Sequence, residues 1–296
     1  MRLFSSFILF CIAIVGIIVF LSLPPRDFPD SYILTVENGD SVHSIAQKLS
    51  AAHTIQSQTV FIIYARIFGN ERDIHPGEYL FSGPTPTYKM ALRIAGSDFG
   101  IEKKKLTIPE GSTNEQIAKD VVALFPNISY DSFLQALQGK EGYLFPDTYS
   151  FFPSTTQADI IDALEKNFSY KISFFDARIK QSGFSELQIL TMASLIEKEA
   201  FGDVDRATIS GILWKRLDAK MLLQVDAATR FDNSYDTYAN VGLPPLPIDN
   251  PGSKALDAAL NPKNSQFWYY LHDKNGGVHY AVSFAEHKKN IQTYLK

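Results

Sequence analysis

From Leu3 to Leu23 the chain carries no charged side chain. The run contains Phe7 to Val15 and Ile17 to Phe20, and its length matches a hydrocarbon core roughly 30 Å thick. A cleaved signal peptide has a shorter apolar core and small residues at the cut. Here the run ends Leu21-Ser22-Leu23-Pro24-Pro25, with prolines where cleavage needs an adaptable backbone. The expectation is an uncleaved transmembrane anchor, with its cytoplasmic tip, over 1–25. Arg2 and the amino terminus precede the span, which favours the N-terminus inside and the rest of the chain outside.

Composition removes several function classes. The one cysteine, Cys11, lies within the apolar run, so no disulfide and no thiolate metal site is expected. The six histidines show no His-x-x-x-His pair and no cluster with acids at metal-ligand spacing, so no metal is expected. There is no Gly-x-Ser-x-Gly elbow, phosphate loop or dinucleotide fingerprint, and no cofactor is expected. A formal charge of −4 without a basic stripe argues against a nucleic-acid partner.

The roughly 270 residues after Pro25 suffice for two domains. Residues 30–100 form a small α/β module in this reading. Tyr32 to Val36 alternates as a strand, Glu37-Asn38-Gly39-Asp40 is turn chemistry, and Ser41 opens a helix with Val42, Ile45, Ala46 and Leu49 on one face. A second apolar helix covers Val60 to Phe68, Gly77 to Phe81 is a strand, and Tyr88 to Ala95 is helical. The phrase Val36-x-x-Gly39-x-Ser41-x-x-x-Ile45-Ala46-x-x-Leu49 resembles the opening of a LysM peptidoglycan-binding motif. A simple strand-turn-helix corner satisfies the same pattern.

Residues 101–296 are read as a mixed α+β domain. Lys105 to Gly111 repeats the strand-turn pattern before a helix through Gln116 to Val122. Ser185 and Gln188 make a capping box, and Phe184 and Ile189 are spaced for a hydrophobic staple. Ile189, Met192, Ala193, Ile196 and Ala200 then share one helical face. Glu197 and Glu199 flank it on opposite sides, and periodicity does not choose between them. Both stand at the negative end of the helix dipole, where a carboxyl holds its proton more tightly. Further on, a helix spans Val204 to Asp218. Leu222 to Asp226 looks like a strand with Gln224 and Asp226 on one face. The proline-rich 242–252 is a rigid loop, Ser253 caps a short helix, and Phe267 to Val282 forms a hairpin around Asn275-Gly276-Gly277.

These phrases in order resemble the YceG-like family of endolytic murein transglycosylases. The resemblance is carried by Ala193-Ser194-Leu195-Ile196-Glu197-Lys198-Glu199, Leu213-x-x-Arg216-Leu217, Met221-x-Leu223-Gln224-x-Asp226, Tyr235-x-Thr237-Tyr238, Gly242-Leu243-Pro244-Pro245, Asn250-Pro251-Gly252 and Gly277-x-His279-Tyr280. Upstream, Thr107 to Gly111 and Leu144 to Tyr149 are also similar. The chain departs from the family pattern at Ala227, where proline is usual, and at Leu246, where glycine is common.

The resemblance implies an anchor, a LysM-like module and a catalytic domain, held at the outer face of a bacterial inner membrane. It implies cleavage of the MurNAc–GlcNAc bond inside nascent peptidoglycan strands, leaving 1,6-anhydro-MurNAc ends. Glu197, as first acid of the Glu-Lys-Glu triplet, is expected to be the general acid and then base. Glu199, Gln224, Asp226, Thr237 and Tyr238 are expected to orient the glycan. Glycan strands, the membrane and peptidoglycan synthases are the implied partners. A non-catalytic wall-binding scaffold and a water-using muramidase with Asp226 as second carboxyl are the alternatives.

Overall fold

The structure, a computed structural model, describes residues 2–69, 74–200, 202, 205–230 and 233–295, without the side chains of 2–5, 7, 230 and 233. It is mixed α+β, and it divides into two units, Met1–Lys103 and Lys104–Lys296.

The first unit opens with α1 (Arg2–Ser22), followed by β1 (Tyr32–Val36), α2 (Val42–Ala51), α3 (Gln58–Phe68), β2 (Gly77–Phe81) and α4 (Thr87–Ala95). Alternation puts Leu34 and Val36 inward on β1, and β2 pairs with it antiparallel, Leu34 opposite Tyr79. Ser41 caps α2 as its sequence requires, its Oγ accepting from Ser44 N at 3.1 Å. The face foreseen for that helix, Val42, Ile45, Ala46 and Leu49, is the buried one. It packs with Phe61, Tyr79, Phe81 and Met90 into the unit's own core. Among the described residues, which omit several side chains of the first two turns of α1, no helix is long and apolar enough to cross a membrane.

The second unit comprises β3 (Lys104–Thr107), α5 (Asn114–Leu124), α6 (Tyr130–Ala136), β4 (Thr148–Phe151), α7 (Gln157–Ser173), α8 (Asp176–Ser182), α9 (Glu186–Glu199), α10 (Arg206–Asp218), α11 (Ser253–Leu260), β5 (Tyr269–His272), β6 (Val278–Ala281) and α12 (Phe284–Tyr294). β3 pairs antiparallel with β4, and β5 with β6 as the expected hairpin. One core lies around β3, α5, α6 and α7; the other surrounds α9.

α9 starts where its capping box predicts: Gln188 N donates to Ser185 Oγ at 3.2 Å and Ser185 N to Gln188 Oε1 at 2.9 Å. The expectation of a single buried face is too narrow. Every residue from Ile189 to Ile196 is buried, because α10 and α11 both pack against the helix. Its polar members are satisfied internally: Thr191 bonds Leu187 O at 2.8 Å, and Ser194 bonds Thr191 O at 2.8 Å while accepting from Ile248 N at 3.0 Å.

Two local expectations change. The residues 221–225 form no strand, and a 3₁₀ turn follows over Asp226–Arg230. Inward Leu223 and Val225 still alternate with outward Gln224 and Asp226, but hydrogen bonds to Arg216 and Thr237 impose this in place of a neighbouring strand. Gly252 holds the cap position of α11 and Ser253 is its first helical residue. The described part of α10 begins at Arg206, and Val204 lies outside the described residues.

Candidate active site

Glu197 and Glu199 leave the last turn of α9 on opposite flanks and enter different surroundings. Both Glu197 oxygens are occupied. Arg206 Nη2 donates to Oε1 at 2.7 Å, and the Gly252 amide donates to Oε2 at 3.0 Å. The side chain is only 5% exposed, with Arg206 at 11%. A carboxylate held by a guanidinium and a backbone amide is a tight structural clasp between α9, α10 and the start of α11.

The clasp belongs to a larger buried polar cluster. Gly111 turns at φ +75°, and a side chain there would touch Glu197 Cγ at 3.3 Å, and Asp249 Oδ2 and Lys198 Nζ each at 3.6 Å. Lys198 donates to Gly111 O at 2.6 Å and stands 3.7 Å from Asp249, an ion pair longer than a hydrogen bond. Asp249 is wholly buried, and neither carboxyl oxygen has a hydrogen-bond partner among the described residues. Burial first, then the charges of Glu197 and Glu141, push its carboxyl well above the usual range, with Lys198 opposing. Burial also raises Glu141 to about 7, although the Asn114 amide and Lys198 pull it down.

Asp249 therefore binds its proton more tightly when folded than when unfolded. Its unfavourable contribution is absent below the unfolded value near 4 and grows as pH rises towards the folded value. Relative to wild type, Asp249→Asn is expected to gain thermal stability progressively between pH 5 and pH 8. Melting curves across that range check it, and a constant offset between the two proteins would contradict it.

On the other flank, Glu199 Oε2 accepts from the Tyr270 hydroxyl at 2.8 Å, and among the described residues Oε1 has no partner. Burial raises this carboxyl above its ordinary value; the Tyr270 bond opposes that, nearby Asp226 reinforces it, and Arg216 opposes it. Tyr270 itself is partly buried and stays a phenol, its own proton held by burial and by the Glu199 charge.

The residues expected to orient a ligand gather here, beside Glu199. Tyr238 OH donates to Asp226 Oδ1, and burial followed by that bond raises Tyr238 to about 12. Gln224 adopts a left-handed φ of 56°, a strained position for a residue with a side chain, and faces solvent. Its amide is tied to Thr237 O at 3.1 Å. Thr237 is buried, and its hydroxyl takes the Val225 amide at 2.8 Å and bonds Val225 O at 3.2 Å. That makes Thr237 a positioning residue, while Gln224, Asp226 and Tyr238 are open to solvent.

Arg216, buried in α10, completes the frame. It donates to Leu223 O and to Trp268 O, each at 2.8 Å, and so fastens the Gln224–Asp226 segment to the approach of β5, which carries Tyr270. Sequence reasoning assigned no site role to Tyr270, Arg216, Arg206, Asp249, Glu141 or Asn250. Only Arg216 and Asn250 carried a signal, each falling within a recognisable phrase. Among the described residues no group of His, Cys, Asp and Glu could hold a metal ion.

The sequence model of the YceG-like family matches residues 34–293. An endolytic murein transglycosylase of Bacillus subtilis is 29% identical, over 91% of this chain and 86% of its own length. One from Streptococcus pneumoniae is also 29% identical, over 93% of this chain; the chain spans 60% of that relative's length. A crystal structure of a YceG-like protein from Listeria monocytogenes is 28% identical, with a TM-score of 0.58, over 88% of this chain and 98% of that one.

Proposed function

The chain belongs to the YceG-like family, and on that premise we propose that it is a membrane-anchored endolytic transglycosylase of peptidoglycan, with Glu199 as its proton carrier. The two relatives named as endolytic murein transglycosylases support the reaction class. The observation that carries the residue assignment is the environment of Glu199: a carboxyl whose proton affinity burial raises, with Oε2 bonded to Tyr270 and Oε1 without a partner among the described residues, near solvent-open Asp226 and Tyr238. Glu197, the acid expected from the resemblance, is already committed to Arg206 and Gly252.

In the proposed reaction Tyr270 donates to Oε2, which leaves Oε1 to carry the acidic proton. Glu199 gives that proton to the glycosidic oxygen as the bond to the MurNAc anomeric carbon breaks. The carboxylate then removes the proton from the 6-hydroxyl of the same MurNAc, whose oxygen bonds to the anomeric carbon and closes the 1,6-anhydro ring. The nucleophile is tethered to its target, so one carboxyl serves both steps and no water is activated. Hydrolases need a second carboxyl at a set separation. Asp226, bonded to Tyr238, is assigned here to orientation and to the local field.

We assign α1 to the anchor, from the charge-free run Leu3 to Leu23 and its continuous helix. With residues 30–100 as a LysM-like module, the domain 101–296 would act outside the bacterial inner membrane, near nascent strands and their synthases.

Product analysis tests the reaction. The full chain is incubated with uncrosslinked and mature peptidoglycan, and the muropeptides are read by mass spectrometry. Internal fragments ending in anhydro-MurNAc are expected. Reducing ends would mean a muramidase, and intact strands that still bind the protein would mean a scaffold.

The pH profile tests the acid. Glu199 must be protonated in the free enzyme, so kcat/KM falls as pH rises through its folded value. The Asp226 charge helps to hold that proton, so Asp226→Asn is expected to start the fall at lower pH. Identical alkaline limbs in wild type and variant would contradict the assignment.

A further inference from the structure

The C-terminal end of α1 is fastened to α3. Ser22 is buried with its Oγ 3.0 Å from Tyr64 OH, and Gln56 Nε2 donates to Leu23 O at 3.0 Å. α3 and α4 pack side by side and turn Val60, Phe61, Met90, Ala91 and Ile94 inward. Outward they present a second apolar set: Ile63 (46% exposed) and Ile67 (66%) one turn apart on α3, and Tyr88 and Leu92 (50%) one turn apart on α4. Tyr64 joins these helices to the end of α1 through its rings: Phe68 stacks on it at 5.8 Å, and Tyr88 lies 6.2 Å away.

Single exposed apolar residues are ordinary on a protein surface. Two features distinguish this set. It spans two adjacent helices around an aromatic cluster at the foot of α1, which is charge-free from Leu3 onward. The charged residues of α3 and α4 are Arg66, Lys89 and Arg93, and neither helix contains an acid. A helical face with aliphatic and aromatic side chains and only basic charges suits the boundary between lipid headgroups and acyl chains. Tyrosines favour the same depth, and basic residues are drawn to anionic headgroups.

We propose that the face made by Ile63, Ile67, Tyr88 and Leu92 rests in the surface of the anionic membrane that α1 enters. The inference rests on reading α1 as an anchor and adds a second contact: where α1 leaves the bilayer, the first unit is bound to the same lipid surface. A second copy of the chain is the competing occupant of this face.

The test uses the full chain in nanodiscs containing equal phosphatidylglycerol and phosphatidylcholine. The native Cys11, labelled with an environment-sensitive fluorophore, reports on α1. In a Cys11→Ser background, Ile67→Cys and Leu92→Cys report on the face, and exposed Glu37→Cys serves as the control. Emission at both face positions is expected to shift to the blue and to be quenched at least about twofold by nitroxide lipids, with Glu37→Cys unaffected. Arg66→Glu with Lys89→Glu is expected to reduce that quenching, with the chain still in the disc. Quenching at Cys11 with water-like, unquenched probes at both face positions would overturn this inference and leave the anchor standing. An unquenched Cys11 would overturn the anchor reading and this inference with it. A blue shift that grows with protein concentration and ignores the nitroxide lipids would assign the face to a second copy and overturn the lipid contact.

Discussion

Glu199→Gln is expected to lower strand cleavage by about 100-fold to 10,000-fold, the range over which a positioned acid–base group contributes, with the fold intact. Glutamine keeps the shape and can still accept from Tyr270, but it has no proton to deliver to a glycosidic oxygen. Stability should be unchanged or improved near neutral pH, because a carboxyl raised by burial disfavours the folded state as pH rises above its unfolded value. Glu197→Gln should do the reverse. It leaves Arg206 facing a neutral amide in a clasp that is nearly closed to solvent, at a cost of about 3 kcal/mol. For a unit of this size that lowers the melting temperature by roughly 10 °C. Activity below the transition should then persist in part. Turnover and melting curves on both variants decide the matter. An inactive, fully stable Glu197→Gln beside an active Glu199→Gln would return the acid role to the first member of the triplet.

The pair shows where the sequence stops being informative. Residues two apart on a helix lie about 200° apart, so both acids could be seen to flank the buried stripe of α9. What separates them is supplied from elsewhere in the chain: Arg206 and Gly252 on one side, Tyr270 on the other. Local signals held where their cause is local. Ser41 and Ser185 cap their helices because a hydroxyl three residues before an unpaired amide has little else to bond. The buried face of α2 follows from spacing alone.

Segments governed by distant partners were read less well. Leu222 to Asp226 alternates like a strand, but no strand lies beside it, and Arg216 and Thr237 hold its backbone in that pattern. Thr237 stood in a phrase that suggested ligand contact, and its hydroxyl serves the backbone of Val225 instead. Asp249 left no sequence signal, since an acid in a proline-rich loop ordinarily faces water. Here the surrounding loops close over it.

Those loops meet at Asn250, and Asn250→Ala is expected to destabilise the second unit by on the order of 4 kcal/mol. The side chain is completely buried. Its Oδ1 accepts from the Gly142 and Leu144 amides, both at 2.9 Å. Its Nδ2 donates towards Ser112 O at 3.0 Å, Asn114 Oδ1 at 3.1 Å and Glu141 Oε1 at 3.3 Å. Alanine strands two buried amide donors and withdraws a donor from three oxygens. Each unsatisfied buried group costs about 1–3 kcal/mol. Asn250→Asp separates the polar account from simple loss of volume. It keeps an acceptor for Gly142 and Leu144, yet at neutral pH it sets a carboxylate against those three oxygens. Its folded state should therefore hold a proton more tightly than its unfolded state, and it should recover stability as pH falls. Denaturant melts at pH 5 and pH 8 check both variants: Asn250→Asp should regain much of its loss at pH 5, and Asn250→Ala should not. Equal losses at both pH values would make the site a matter of packing. Asn250 is followed by Pro251 and then Gly252, whose amide completes the Glu197 clasp, so loosening this hub should also slow cleavage without replacing any group that touches the sugar.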